Sequence, residues 1–99
     1  MKLRNRNEVP WQCRLSEIFE AAYYRRLASI DPNGFLEILQ NFEALAKRDP
    51  RMVGVPHPDL VSLWVYESPA LARLPSVVFI YTIDDKAGMV DLWNCFLVA

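Results

Sequence analysis

One order of hydropathy patterns runs through this chain: an alternating stretch, two helical stripes, then three β-rich runs. That order limits the packing solutions more than any single residue does. Val9, Trp11, Cys13 and Leu15 are apolar at every second position, with Pro10, Gln12 and Arg14 between them. This is the period of a half-buried strand, and Pro10, which has no N–H to donate, marks a strand start or an edge. Ser16 then reads as an N-cap with Glu17 in the first turn, which predicts a helix from about Glu17 to Ile30. Its apolar stripe is Ile18, Phe19, Ala22, Tyr23, Leu27 and Ile30, leaving Glu20, Tyr24 and Arg25 outward.

Asp31, Pro32, Asn33 and Gly34 interrupt that stripe, either as a tight turn or as a cap with Pro32 at the first position of a second helix. The second helix runs to about Arg48, with Phe35, Leu36, Ile38, Leu39, Phe42, Leu45 and Ala46 facing the core. So short a connection implies an antiparallel helical hairpin. Residues 49 to 59 hold three prolines and one glycine and read as a loop. Leu60 to Tyr66 is a β-rich run. Val77 to Ile83 is continuous and apolar, as a central strand should be. Asp84, Asp85, Lys86, Ala87 and Gly88 supply hairpin-turn chemistry before a final strand from Met89 to Val98. The expected fold is α+β: β-α-α-β-β-β, one domain over residues 1 to 99, with the helical hairpin on one face of a mostly antiparallel four-stranded sheet.

Charge and cysteine usage narrow the function classes. The net charge is −1, with nine Lys/Arg against seven Asp/Glu in residues 1 to 51 and two against five thereafter. Strong nucleic-acid binders carry a clearly basic domain, and this balance does not supply one. Cys13 and Cys95 sit inside apolar strand patterns and read as reduced thiols in a cytoplasmic protein. One histidine and no close cysteine pair argue against a metal, and no cofactor motif is present. Residues 1 to 8 lack the apolar run of a secretory signal, and Val77 to Ile83 is too short to span a bilayer.

Two sets of side chains are candidates for function. Lys47, Arg48 and Arg51 lie where the second helix enters the proline-rich loop, His57 follows, and Arg73 stands before the central strand. Converging loops would gather Lys47, Arg48, Arg51 and Arg73 into a cationic cleft for phosphates, with Arg51, His57 and Arg73 as the catalytic candidates. Among the strand aromatics, Trp64, Tyr66 and Trp93 are candidates for a partner-binding surface, because two helices on one face leave the other uncovered. Five aromatics in the last three strands (Trp64, Tyr66, Phe79, Tyr81, Trp93) exceed what two short helices should cover, so an associated state is expected.

The stretch Pro75, Ser76, Val77, Val78, Phe79, Ile80, Tyr81, Thr82, Ile83 and Asp84, then the Gly88 turn and an apolar closing strand, resembles the RelE/ParE toxin superfamily of bacterial toxin–antitoxin systems. The opening strand followed by Ser16 and a helix matches as well, so the resemblance covers nearly the whole chain. It implies a toxin neutralised by an antitoxin encoded next door. RNase members commonly place an arginine three residues before the tyrosine, where this chain has Val78. They also carry Arg, Lys, His or Tyr in or after the last strand, which here reads Asn94, Cys95, Phe96, Leu97, Val98, Ala99. A ParE-like member, which inhibits gyrase without nuclease chemistry, fits those departures better than a ribosome-dependent mRNA nuclease. The other readings are a dimerising or scaffolding domain with no toxin role, and a metal-free RNase built on Arg51, His57 and Arg73.

Overall fold

The computed structural model describes residues 10 to 98. Strand β1 (Gln12–Leu15) leads into helix α1 (Glu17–Ala22), which continues as a π-helical turn over Tyr23–Leu27. Helix α2 (Pro32–Arg48) follows, then a 3₁₀ turn (Pro50–Met52) and strands β2 (Val55–Pro56), β3 (Trp64–Glu67), β4 (Val77–Asp84) and β5 (Met89–Leu97). The sheet order is β1-β5-β4-β3-β2, with β1 parallel to β5 and the other pairs antiparallel. The α+β class and the order of elements agree with expectation. The strand count does not: the sheet has five strands rather than four. The extra one is β2, a two-residue bridge inside the proline-rich loop, too short to leave a periodic signal.

Local chemistry accounts for the helix ends. The Ser16 hydroxyl accepts the Phe19 N–H, and the Asp31 carboxylate accepts the Gly34 N–H with Pro32 in the first turn. The first helix is shorter than the predicted Glu17 to Ile30. Its Ala28 N–H reaches the Tyr23 carbonyl, an i to i+5 bond that inserts one residue into the turn. Leu27 stays buried in consequence, while Ile30 passes into solvent. Ile18, Leu36 and Leu45, all assigned to buried stripes, are also exposed, because only Phe19 in α1 and the narrow Phe35-Ile38-Leu39-Phe42-Ala46 stripe in α2 meet the sheet. The run from Leu60 begins as a turn, with Ser62 in the left-handed region at φ 73°, and β3 starts only at Trp64.

Both helices cover one face of the sheet. The Phe79 ring lies 5.3 Å from Phe19, 5.2 Å from Phe42 and 6.1 Å from Phe35, so one β4 side chain meets both helices. Such pairs contribute about 0.5–1.5 kcal/mol each beyond the area they bury. At the β4–β5 turn Gly88 adopts φ 66°, a conformation that favours glycine, and Asp84 accepts the Ala87 N–H. Among the described residues, no helix is long and apolar enough to cross a membrane.

Candidate functional site

The cationic candidates do not converge. Arg51, at the end of the 3₁₀ turn, makes a two-pronged ion pair with Asp85 beyond the far end of β4, at 3.0 and 2.7 Å. Arg73 precedes the near end of β4, and the eight residues of that strand keep the two ends roughly 23 Å apart. Lys47 and Arg48 are exposed at the C-terminus of α2, near Arg51 in sequence, and the Lys47 carbonyl accepts the Trp11 N–H. His57 is spoken for locally: its Nδ1 accepts the Asp59 and Leu60 N–H groups at 3.0 and 3.1 Å, closing the turn before β3. The expected single cleft of Lys47, Arg48, Arg51 and Arg73 is therefore split, and Arg51, His57 and Arg73 cannot act on one phosphate. Asp85, read in the sequence as turn chemistry alone, is the unforeseen partner.

Tyr81 is the most constrained polar side chain of the central strand. Its ring is fully buried, its hydroxyl donates to the Pro50 carbonyl at 2.8 Å and accepts the Gly54 N–H at 3.0 Å. Burial pushes the phenol up to about 12, with the Gly54 bond opposing the rise. This hydroxyl pins the segment after α2 onto the sheet. Gly54 is required there, because a Cβ at that position would lie 2.4 Å from the Val65 carbonyl oxygen and 2.7 Å from the Tyr81 oxygen. Val78, one strand position from Phe79, faces the side away from the helices and is buried between Glu67 and Phe96 in register.

The three aromatic candidates divide between the faces. Trp64 pairs with Tyr81 and Tyr66 with Phe79, so both point toward the helices, where Trp64 stacks on Tyr81 at 6.3 Å and Tyr66 lies 5.2 Å from Phe42. They complete the core and do not form an uncovered surface. Only Trp93 stands on the open face. The pairing shifts between Ile80 and Tyr81, so Ile80 opposes Asn94 while Tyr81 opposes Leu92, leaving Trp93 as the inserted residue. Its Nε1 donates to the Thr82 hydroxyl at 2.8 Å. Phe96 and Val98 share its exposure. The expected surplus of uncovered aromatics is corrected accordingly: the helix side takes four of the five.

The cysteines are free and apart. Cys13 stands opposite Val90, five residues from Cys95, which is roughly 17 Å along β5 and beyond disulfide reach. Burial raises Cys13 to about 11 and Cys95 to about 12, the opposite of what a reactive thiol needs. Several grooves mark the surface of the described residues. One of about 440 Å³ lies beside the end of α2, lined by Leu45, Arg48, Asp49, Met52 and Val53. Another of about 280 Å³ runs between α1 and β5, lined by Ile18, Ala21, Ala22, Arg25, Arg26 and Asn94. No group of His, Cys, Asp or Glu among the described residues could hold a metal ion.

No protein-family model matches the chain, and no curated protein matches it. A solved structure does: a chain of the RelBE2 toxin–antitoxin complex from Mycobacterium tuberculosis superposes with a TM-score of 0.68 at 21% identity, covering 91% of this chain and 100% of that one. The two chains share one fold.

Proposed function

We propose that this RelE-type fold serves as a toxin or toxin-derived protein held by an antitoxin polypeptide, without RNase chemistry of its own. The observation that carries the first half is the superposition over nearly the whole length with a chain taken from a toxin–antitoxin complex. The second half is supported by Tyr81. Phosphodiester cleavage needs positioned cations and a proton donor at the scissile phosphate. The Tyr81 hydroxyl is occupied by Pro50 and Gly54, Val78 stands where RNase members of the resembled family carry an arginine, and Arg51 is held by Asp85. The docking face is the uncovered side of the sheet around Trp93 and Phe96. Gyrase suits a toxin of this kind better than the ribosome and its mRNA.

Expression of the chain alone and with the product of the adjacent reading frame tests both halves. Growth arrest relieved by the neighbour, with a stable complex on gel filtration and no codon-aligned cuts by primer extension, is the expected result. Codon-aligned cleavage that disappears in Arg51→Ala or Arg73→Ala overturns the claim about chemistry. A second reading, a scaffolding homodimer through the same face, is favoured only by the exposure of Trp93, Phe96 and Val98. Light scattering separates it, since that reading requires twice the chain mass with no partner added.

A further inference from the structure

Val61 keeps 95% of its surface in water and Leu60 keeps 52%, although the turn that carries them is firmly held. The His57 Nδ1 accepts the Asp59 and Leu60 N–H groups, the His57 N–H reaches the Leu63 carbonyl, and the Leu63 N–H returns to the Leu60 carbonyl. Ser62 completes the turn in the left-handed region at φ 73°, where a side chain brings strain. An aliphatic pair set in solvent by a strained and cross-tied turn is pre-shaped for insertion, because little conformational freedom is left to lose. The groove of about 440 Å³ beside α2 lies at the same end of the molecule. Trp64 stands opposite Tyr81, so the turn before it lies toward the Asp84 end of β4, and Arg51, next to Met52 of the groove, is tied to Asp85 there. Leu45, Met52 and Val53 give the groove its apolar lining, and Met52 is 81% exposed. Of its two charged residues, Asp49 accepts the Arg51 N–H, whereas Arg48 has no ion-pair partner among the described residues.

We infer that two copies of this chain associate reciprocally, the Leu60–Val61 tip of each entering the groove beside α2 of the other, with Asp59 of one copy against Arg48 of its mate. This pairing is independent of the proposed toxin role and leaves the open face around Trp93 free. Knob and hole match in kind: an aliphatic tip for an aliphatic groove, and one carboxylate for one guanidinium. Both lie at one end of the chain, so a two-fold axis engages them together and every contact occurs twice. An anionic membrane is the poorer occupant, because Asp59 immediately precedes the aliphatic pair. Two such junctions are small beside a permanent interface, so the pair should form at roughly 10–300 µM rather than below.

Sedimentation equilibrium of the full chain over about 5–500 µM is the test, and the mean mass should climb from one chain mass toward two. Val61→Asp should weaken the association about tenfold or more with an unchanged melting curve, since that side chain is almost wholly in solvent. His57→Ala unties the tip but keeps its aliphatic pair, and should weaken the association as well. Charge reversal checks the register. Arg48→Asp and Asp59→Arg each set like charges against one another and should each weaken the pair about fivefold or more. An equimolar mixture of those two variants should restore it, because both junctions then join opposite charges. A single chain mass at every concentration overturns the inference. So does association that Val61→Asp leaves intact, or a mixture of the two charge variants that regains nothing. A wild-type dimer lost in Trp93→Ser and indifferent to Val61→Asp belongs to the open face and equally overturns the tip pairing.

Discussion

On the helix side of the sheet Phe19, Phe35, Phe42, Phe79 and Tyr81 have no surface left in water, while on the other side Trp93 and Phe96 keep 46% and 47% of theirs. The residue types are the same on both sides. What differs is the number of layers: two helices supply enough apolar side chains to close one face, and nothing described closes the other. Apolarity in a strand thus marks a residue that can be buried, and the layer count decides which ones are. The closed face should carry the stability of the protein, and the open face should carry its associations.

The largest effect should come from removing the ring that joins both helices to the sheet. Phe79→Ala should cost about 3–5 kcal/mol in urea unfolding, as large-to-small changes at fully packed aromatic sites do. Phe96→Ala on the open face should cost under about 1 kcal/mol. Equal losses would mean that the open face is closed by something beyond the described residues.

Alkaline titration sharpens the same contrast. Tyr81, Cys13 and Cys95 all hold their protons more tightly in the folded state, with values raised from 10.0 to about 12, from 9.0 to about 11 and from 9.0 to about 12. A raised acid stabilises the folded form fully below its unfolded value and loses that stabilisation as pH rises through the folded one. Stability should therefore decline from about pH 9 to pH 12, and Tyr81 alone accounts for about 2–3 kcal/mol of the fall above pH 10. Tyr81→Phe should flatten that part of the profile in thermal melts recorded from about pH 8, below the onset of the decline, to about pH 12. At neutral pH the same change should cost about 1–2 kcal/mol, because it leaves the Pro50 carbonyl and Gly54 N–H without their partner.

Smaller effects belong to the surface. Trp93→Ser should change unfolding free energy by less than about 1 kcal/mol while abolishing partner capture, and a loss of several kcal/mol would place Trp93 in the core instead. Arg51→Ala should cost about 0.5 kcal/mol, since both members of its ion pair are largely solvated. A sharp drop in melting temperature for that variant would reveal a structural role for the pair that its exposure does not suggest.

The order of elements was legible because each has a period long enough to show: alternation before Ser16, the Phe35-to-Ala46 stripe, the unbroken Val77-to-Ile83 run. The Asp31 cap and the Gly88 turn were legible from side-chain chemistry. Three features were not. The π-helical bond from Ala28 to Tyr23 changes the helical phase without a marker residue, and so misplaced Ile30. The register shift at Ile80 and Tyr81 decides which face Trp93 occupies, and alternation alone cannot locate a bulge. The separation of Arg51 from Arg73 follows from the length of β4 between them, a distance that neighbouring positions in a list of candidates conceal. Gly54 was the one signal of the Tyr81 tie, and it is intelligible only once β3 is known to pass beneath it.

The parallel pairing of β1 with β5 also sets a schedule. Arg14 and Asp91, joined across those strands, are 77 residues apart in the chain. During synthesis β1, the helices and the hairpin precursors leave the ribosome with the central position of the sheet's β1 side still vacant, because β5 is made last among the described elements. Closure of so long a loop is entropically slow, and it cannot begin until Met89–Leu97 has emerged. For most of its translation the nascent chain therefore carries β1 without its partner strand, its apolar side chains exposed, a window in which chaperones or an already synthesised partner meet it before the sheet is complete.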